Sequence, residues 1–248
     1  MAVTVRVGDC INLLDMDLPS VQLVYIDPPY NTGRRFTDEW IDSWPTTSAF
    51  IDWLRPRLKA CWDALGPNGN MIVHIDWRTV HYVKVAMDEL FGEEKFCNEI
   101  IWTYRSGGAS KRHLSRKHDT LLWYAKGNGY TFNPQRVPYA AGTDLSRPGF
   151  HPEGKLMTDI WDINFLSTTA SERTGYPTQK PLTLLTRVIE LFSNEGDVVL
   201  DAFCGSGTTG VAAAALSRHC VMLDINPTAA WIAEERMLDQ QAPPSLFD

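Results

Sequence analysis

The sequence predicts an α/β protein built on a Rossmann-like, doubly wound parallel sheet with helices on both faces. Three observations carry that expectation. Val21-Gln22-Leu23-Val24-Tyr25-Ile26 is a nearly continuous apolar run, the pattern of a strand buried on both faces. Runs of this kind alternate with stretches of helical period along most of the chain. Two of them, Val21–Ile26 and Val198-Val199-Leu200, empty into short polar turns, the place where such sheets bind ligands.

Val3–Val7 alternates and ends at Gly8-Asp9-Cys10, a short strand and turn. Residues 31–46 are polar and aromatic with no period, and predict a mobile loop; Trp40 and Trp44 in it suit either closure over a ligand or core packing. Ser48–Leu65 is helical in pattern and stopped by Gly66-Pro67, while Pro56 inside it predicts a kink or break. Met71–Ile75 reads as a strand, Arg78–Leu90 as a helix, and Glu99–Tyr104 and Thr120–Tyr124 as strands. From Lys126 to Gly175 small and polar residues dominate and no helical period survives, so this stretch is a loop-rich insertion. Leu182, Leu185, Val188, Ile189 and Phe192 then share one helical face behind Pro181. A strand at Val198–Asp201, a glycine turn, a helix at Thr208–Leu216, a strand at Cys220–Asp224 and a helix at Pro227–Leu238 complete the pattern, with no repeats.

The 248 residues, 44% hydrophobic and 21% charged, suit one globular domain spanning 1–248. No apolar run approaches the ~20 residues of a membrane span, and the N-terminus lacks a signal-peptide pattern. Cys10, Cys61, Cys97, Cys204 and Cys220 have no CxxC spacing, which argues against a zinc site or a disulfide framework, predicts no metal, and favours a reducing cytoplasm. The net charge of −7 runs against a nucleic-acid partner. Local charge runs the other way: Arg105, Lys111, Arg112, Arg116 and Lys117 form a strip without an acid, able to hold phosphates or simply to be a solvated loop.

Gly205 and Gly207 allow a ligand close to the backbone, and Asp224, at the end of the next strand, can accept hydrogen bonds from ribose hydroxyls. Gly205-Ser206-Gly207-Thr208-Thr209-Gly210 also reads literally as the dinucleotide motif, so this turn alone leaves NAD open. Asp27-Pro28-Pro29-Tyr30 decides the matter. The exocyclic amine of a nucleobase is a poor nucleophile, because its lone pair is delocalised into the ring. A carboxylate (Asp27) and a carbonyl (Pro28) accepting its two N–H bonds push it toward tetrahedral geometry. Two prolines stiffen the turn, and Tyr30 offers a face on which a flipped base can stack.

Asp27-Pro28-Pro29-Tyr30-Asn31-Thr32-Gly33 resembles the catalytic motif of the DNA amino-methyltransferases, and the segment from Asp201 through Phe203, Gly205, Ser206, Gly207 and Thr208 resembles their S-adenosylmethionine motif. The catalytic motif comes first, as in the family's beta arrangement, and the likeness covers roughly residues 3–126 and 176–236. It implies a seven-stranded, mostly parallel sheet with one antiparallel strand. By resemblance, Asp9 and Cys10 lie at the cofactor's adenine, Thr178 and Lys180 beside its methionine end, and the segment from Arg116 through His118 to Tyr124 along the target-base pocket. Arg105, Lys111, Arg112, Arg116, Lys117 and His118 are the candidate DNA contacts.

The wording of the catalytic motif is most typical of N6-adenine enzymes. The expected activity is therefore S-adenosylmethionine-dependent methylation of adenine N6 in double-stranded DNA, in the cytoplasm of a bacterium or archaeon or encoded by a phage. The alternatives are cytosine N4 methylation and a non-catalytic DNA-binding subunit. No Pro-Cys pair exists for cytosine C5 chemistry, so Cys10 and Cys204 read as packing residues. The insertion at 127–175 is the candidate recognition region, and its brevity implies a short or relaxed target. A homodimer is a further expectation. In the tail, 240–248, Ser245-Leu246-Phe247 resembles the end of the peptide by which bacterial DNA enzymes dock on the replication sliding clamp; folding back onto the domain is the alternative.

Overall fold

The computed structural model describes residues 2–15, 17–36, 40–105, 108–140, 142, 143, 145, 149–167 and 169–241. The clamp-like tail motif lies outside them. The strands of the central sheet are β1 (Val3–Val7), β2 (Val21–Ile26), β3 (Leu65–Ile75), β4 (Phe96–Thr103), β5 (His118–Ala125), β6 (Ile160–Asp162), β7 (Val198–Asp201) and β8 (His219–Asp224). The helices are α1 (Thr47–Ala64), α2 (Val80–Phe91), α3 (Leu182–Phe192), α4 (Thr208–Ala215) and α5 (Pro227–Gln241).

The spatial order is β1-β8-β7-β2-β3-β5-β4-β6. Only β5 runs antiparallel to its neighbours, β3 and β4. The sheet thus holds the seven strands expected and one more. The eighth, β6, comes from the stretch expected to be irregular and pairs in parallel with β4. Three residues are too few to show a period, but the sheet edge recruits them and buries Trp161 while Ile160 and Asp162 stay outside. The same stretch contributes a two-residue antiparallel pair, Arg136–Val137 with Lys155–Leu156.

Alternation along the central strands divides the core in two. Val24, Ile26, Met71, Val73 and Ile75 face a cluster completed by α1 and α2. Leu23, Tyr25 and Ile72 face the opposite cluster, which α3, α4 and α5 complete. Strands buried on both faces leave no polar side, so their sequences read as continuous apolar runs.

The break expected at Pro56 does not occur. The helix α1 runs through it, capped by Thr46, whose side chain accepts from the Ala49 amide at 3.1 Å. Pro56 and Asp52 lie on the exposed face, where water can serve the carbonyl that proline leaves unbonded, while Phe50, Leu54, Leu58 and Cys61 anchor the opposite face. The helix ends at Ala64, just before Gly66-Pro67, as expected. Gly66-Pro67 falls where the pairing of β2 with β3 slips between Val21–Leu65 and Leu23–Asn70.

Asn70, wholly buried in β3, is the polar knot of the second cluster. Its amide donates to the carbonyls of Thr131 (2.8 Å) and Phe192 (3.1 Å) and its oxygen accepts from Trp123 Nε1 (2.9 Å). Truncation would leave three partners unmatched, two of them buried, so Asn70→Ala is expected to lower stability by about 1–3 kcal/mol. A urea midpoint equal to that of the wild type would contradict this.

Candidate active site

The strand order reverses between β7 and β2, which pair directly through Val199–Leu23 and Leu200–Val24. Chain segments from opposite ends of the sequence therefore leave the carboxyl edge of the sheet side by side: the Asp27 turn after β2 and the glycine turn after β7. With Asp224 at the end of β8 they line one cavity, shared by Tyr30, Thr178 and Lys180. The switch point of a doubly wound sheet is where a ligand site is expected.

On the side of the Asp27 turn, Asp27 is engaged at both oxygens. The Tyr30 hydroxyl donates to Oδ1 and Lys180 Nζ donates to Oδ2. Behind it, His74 of β3 is completely buried, with Nδ1 2.9 Å from the Tyr25 hydroxyl and 3.8 Å from Asp27 Oδ1. Its Nε2 stands 3.6 Å from Asp119 Oδ2, beyond hydrogen-bond range. Burial pushes the Asp119 carboxyl up, but His74, Lys180 and Tyr104 outweigh it and leave it below the usual range. Asp42, 2% exposed, holds the start of the following loop: it accepts from the amides of Asn31 (2.8 Å) and Thr32 (3.0 Å) and from the Thr32 hydroxyl (2.6 Å). Asn31, with φ of 59°, can hold its left-handed turn because of that clamp.

The other wall is the glycine turn. Gly205 donates its amide to Asp224 Oδ2 at 2.9 Å, and Asn226 donates to Oδ1 at 2.8 Å. Both glycines have positive φ. A Cβ on Gly207 would stand 2.7 Å from that of Ala233 in α5, so this glycine serves close packing of α4 against α5, while a Cβ on Gly205 would meet the ring of Tyr176. Tyr176 lies nearly parallel to Trp40, 6.2 Å between centroids, and Phe36 stacks on Trp40 at 4.5 Å. Trp40 therefore walls the cavity, whereas Trp44 packs into the core against Phe50 and Trp53.

Of the sequence candidates for the cofactor, Phe203, Ser206 and Thr208 line the cavity, and Asp9 and Cys10 stand outside it. Asp9 does not line the cavity; it pairs with Arg57 at 2.5 Å and caps Ile11. Cys10 is buried beneath it beside Cys61. Cys204 lines the cavity, but burial pushes its thiol well above the ordinary range, which suits packing rather than attack. Ser206 is buried and its carbonyl accepts from Arg236 at 2.8 Å; the Thr208 hydroxyl donates to the Lys180 carbonyl at 3.3 Å. Phe203 meets Trp53 edge-on. The segment after Arg116 forms β5, and its residues beyond His118 are buried in the sheet, not spread along the cavity.

The basic strip is the connection from β4 to β5. Lys111 and Arg112 are exposed, Arg105 pairs with Asp162 at 2.5 Å, and Arg116 lies 3.7 Å over the ring of Trp77. Lys117 reaches the Gly108 carbonyl at 3.4 Å, and half-buried His118 sits opposite Thr103. Because β4 runs parallel to β2 and β7, this connection leaves the same edge of the sheet as the Asp27 turn.

His74, Asp119 and Asp42 were missed in the sequence. The first is a single polar residue inside the apolar run of β3, a signal in hindsight; Asp119 lies within the segment expected along the target-base pocket without having been singled out, and Asp42 gave no signal.

Asp201 is 2% exposed beneath the glycine turn, accepting from the Thr209 hydroxyl at 2.5 Å and the Phe203 amide at 3.1 Å. Burial raises its carboxyl from the ordinary 3.8 to about 7. A carboxyl whose folded value is raised favours the fold at low pH and loses that advantage as pH climbs through the folded value. Wild-type stability is therefore expected to fall relative to Asp201→Asn between about pH 4 and pH 7. Parallel urea midpoints for the two proteins across that window would contradict the assignment.

Comparison with known proteins places this geometry. The family model for DNA methylases of the N6/N4 type matches residues 21–235. The chain is 32% identical over 237 residues to the DNA adenine methyltransferase YhdJ of Escherichia coli (strain K12), covering 91% of this chain and 79% of that protein. It is 29% identical over 228 residues to the type II methyltransferase M.HpaI of Haemophilus parainfluenzae, covering 91% and 70%. Among solved structures, TTHA0409 of Thermus thermophilus, complexed with S-adenosyl-L-methionine, superposes with a TM-score of 0.65 at 25% identity, covering 98% of this chain and 96% of that one. With the Asp27 and glycine turns meeting on one cavity and the family match spanning both, this chain belongs to the N6/N4 family of DNA methylases.

Proposed function

We propose that this protein methylates the N6 amine of adenine in double-stranded DNA, using S-adenosylmethionine. The observation that carries the reading is the meeting of Asp27 and the Gly205 turn on one cavity at the sheet's switch point. The lining fits such a cofactor. Asp224 presents a carboxylate fixed by two backbone amides, the turn approaches without side chains, and four aspartates against one lysine suit a cation. The bound cofactor supplies an activated methyl group on a sulfonium.

The protein's own residues do the rest. The target base leaves the duplex and enters beside Tyr30. The Asp27 carboxylate and the Pro28 carbonyl accept the two amine hydrogens and localise the nitrogen lone pair for in-line attack. Asp42 keeps the loop after Tyr30 in place, and His74 backs Asp27 from within the sheet. The amine sheds its extra proton after attack, to Asp27, so no stronger base and no covalent enzyme intermediate are needed. The strip of Lys111, Arg112 and Arg116 opens on the same edge and suits the phosphate backbone. We assign target recognition to 127–175, which β6 ties to the edge of the sheet, within a single catalytic domain. Adenine is preferred over cytosine for the wording of the catalytic motif and for the likeness to an adenine methyltransferase. Five free cysteines, four of them buried, suit work in the cytoplasm.

Nucleoside mass spectrometry of DNA from a methylation-free host expressing the protein is expected to show N6-methyladenine. N4-methylcytosine would move the reading to cytosine, and unmodified DNA would overturn it. Asp27→Ala is expected to bind cofactor nearly as the wild type does while transfer falls by about two orders of magnitude or more, the scale for losing a preorganised polar contact. Near wild-type turnover would exclude Asp27 from the chemistry.

A further inference from the structure

Lys180 stands where two of the site's functions collide. Its ammonium donates to Asp27 Oδ2, while Tyr30 donates to Oδ1, so the carboxylate that must receive one of the amine hydrogens is already engaged at both oxygens. The same ammonium lies 5.5 Å from the Tyr30 ring centroid, against the aromatic surface that a base would share. The side chain is 13% exposed and fills this end of the cavity. Its main chain is fixed: Pro181 follows as the cap of α3, and the Thr208 hydroxyl at the start of α4 holds the Lys180 carbonyl. The tether is rigid, and the four-carbon stem beyond it can swing.

Among the described residues lining the cavity, Lys180 is the sole lysine, arginine or histidine, against Asp27, Asp42, Asp201 and Asp224. Asp42 is occupied by the loop, Asp201 by Thr209 and Phe203, and Asp224 by Gly205 and Asn226. Asp27 is thus the carboxylate that holds the cation. S-adenosylmethionine has one carboxylate and two positive centres, its sulfonium and its ammonium. In this cavity its carboxylate finds a single cationic partner, and its sulfonium, delivered toward Asp27, repels the ammonium already there.

We propose that Lys180 blocks the base site by pairing with Asp27, and that cofactor binding draws it off, so that cofactor must enter before the target base. This rests on the methyltransferase reading above. The ligand biases the site toward its open form because it interacts differently with Lys180 in the two positions. After transfer the cofactor product is a neutral thioether. The repulsion is gone, and return of Lys180 to Asp27 expels the methylated base. Lys180 is then a positioning residue that sets the order of binding, besides any affinity it lends the cofactor.

The test uses a duplex with 2-aminopurine at the position found to be methylated, whose fluorescence rises when the base leaves the stack. Sinefungin, in which an amine replaces the sulfonium, is the probe for the cofactor. In wild type the rise is expected with sinefungin, to be lost without it, and to be smaller with S-adenosylhomocysteine. In Lys180→Met it should be retained without sinefungin, and Lys180→Arg should restore the dependence. A full rise in wild type without sinefungin would overturn the proposal, as would a Lys180→Met protein of wild-type urea midpoint that still needs it. If Lys180→Met does not fold, the wild-type comparison decides alone. Failure of the wild type to methylate any DNA would instead remove the underlying reading.

Discussion

The parallel pairing of β7 with β2 is the constraint on which the rest of the molecule depends. Two strands far apart in sequence become neighbours through Val199–Leu23 and Leu200–Val24, and the turns that follow them are forced onto one edge. Neither turn has much freedom once there. The first is stiffened by Pro28 and Pro29 and clamped through Asn31 and Thr32 by Asp42. The second holds Gly205 and Gly207 at positive φ against Tyr176 and Ala233. Helices on both faces bury the pairing completely, so a shift in it would disrupt both cores before it reached the site.

The edge so formed is acidic and partly buried, and each carboxylate is supported by a different means. Backbone amides serve Asp224, a hydroxyl and an amide serve Asp201, and a loop serves Asp42. Among the described carboxylates that line the cavity, only Asp27 relies on a charged side chain, which is the reason its environment can change when another cation arrives. A site built this way selects for positive ligands before any shape is considered.

Much of this was legible in the sequence. The buried strand Val21–Ile26, the glycine turn and the terminal Asp224 declare themselves through continuous apolar runs and residues with special backbone tolerance. Legibility failed where local pattern yields to tertiary demand. Pro56 could not announce that its face would be solvated, and three residues around Trp161 could not announce a strand that exists only because β4 offers an edge. Asp9, expected at the cofactor's adenine, is paired with Arg57, a residue of α1 with no sequence relation to it. His74 was hidden for the opposite reason: a strand buried on both faces gives a polar residue no side to betray itself, and its role depends on Asp27 and Asp119 from neighbouring strands.

The one reversed strand has a further effect. By running backwards, β5 turns the connection from β4 into a short loop at the functional edge instead of a long crossover to the far side. The five cations of that loop sit on a chain whose net charge is −7, so the remainder is more acidic than the total suggests. The loop therefore offers a polyanion a local attraction that the net charge hides. That attraction reaches beyond contact distance, and added salt would blunt it.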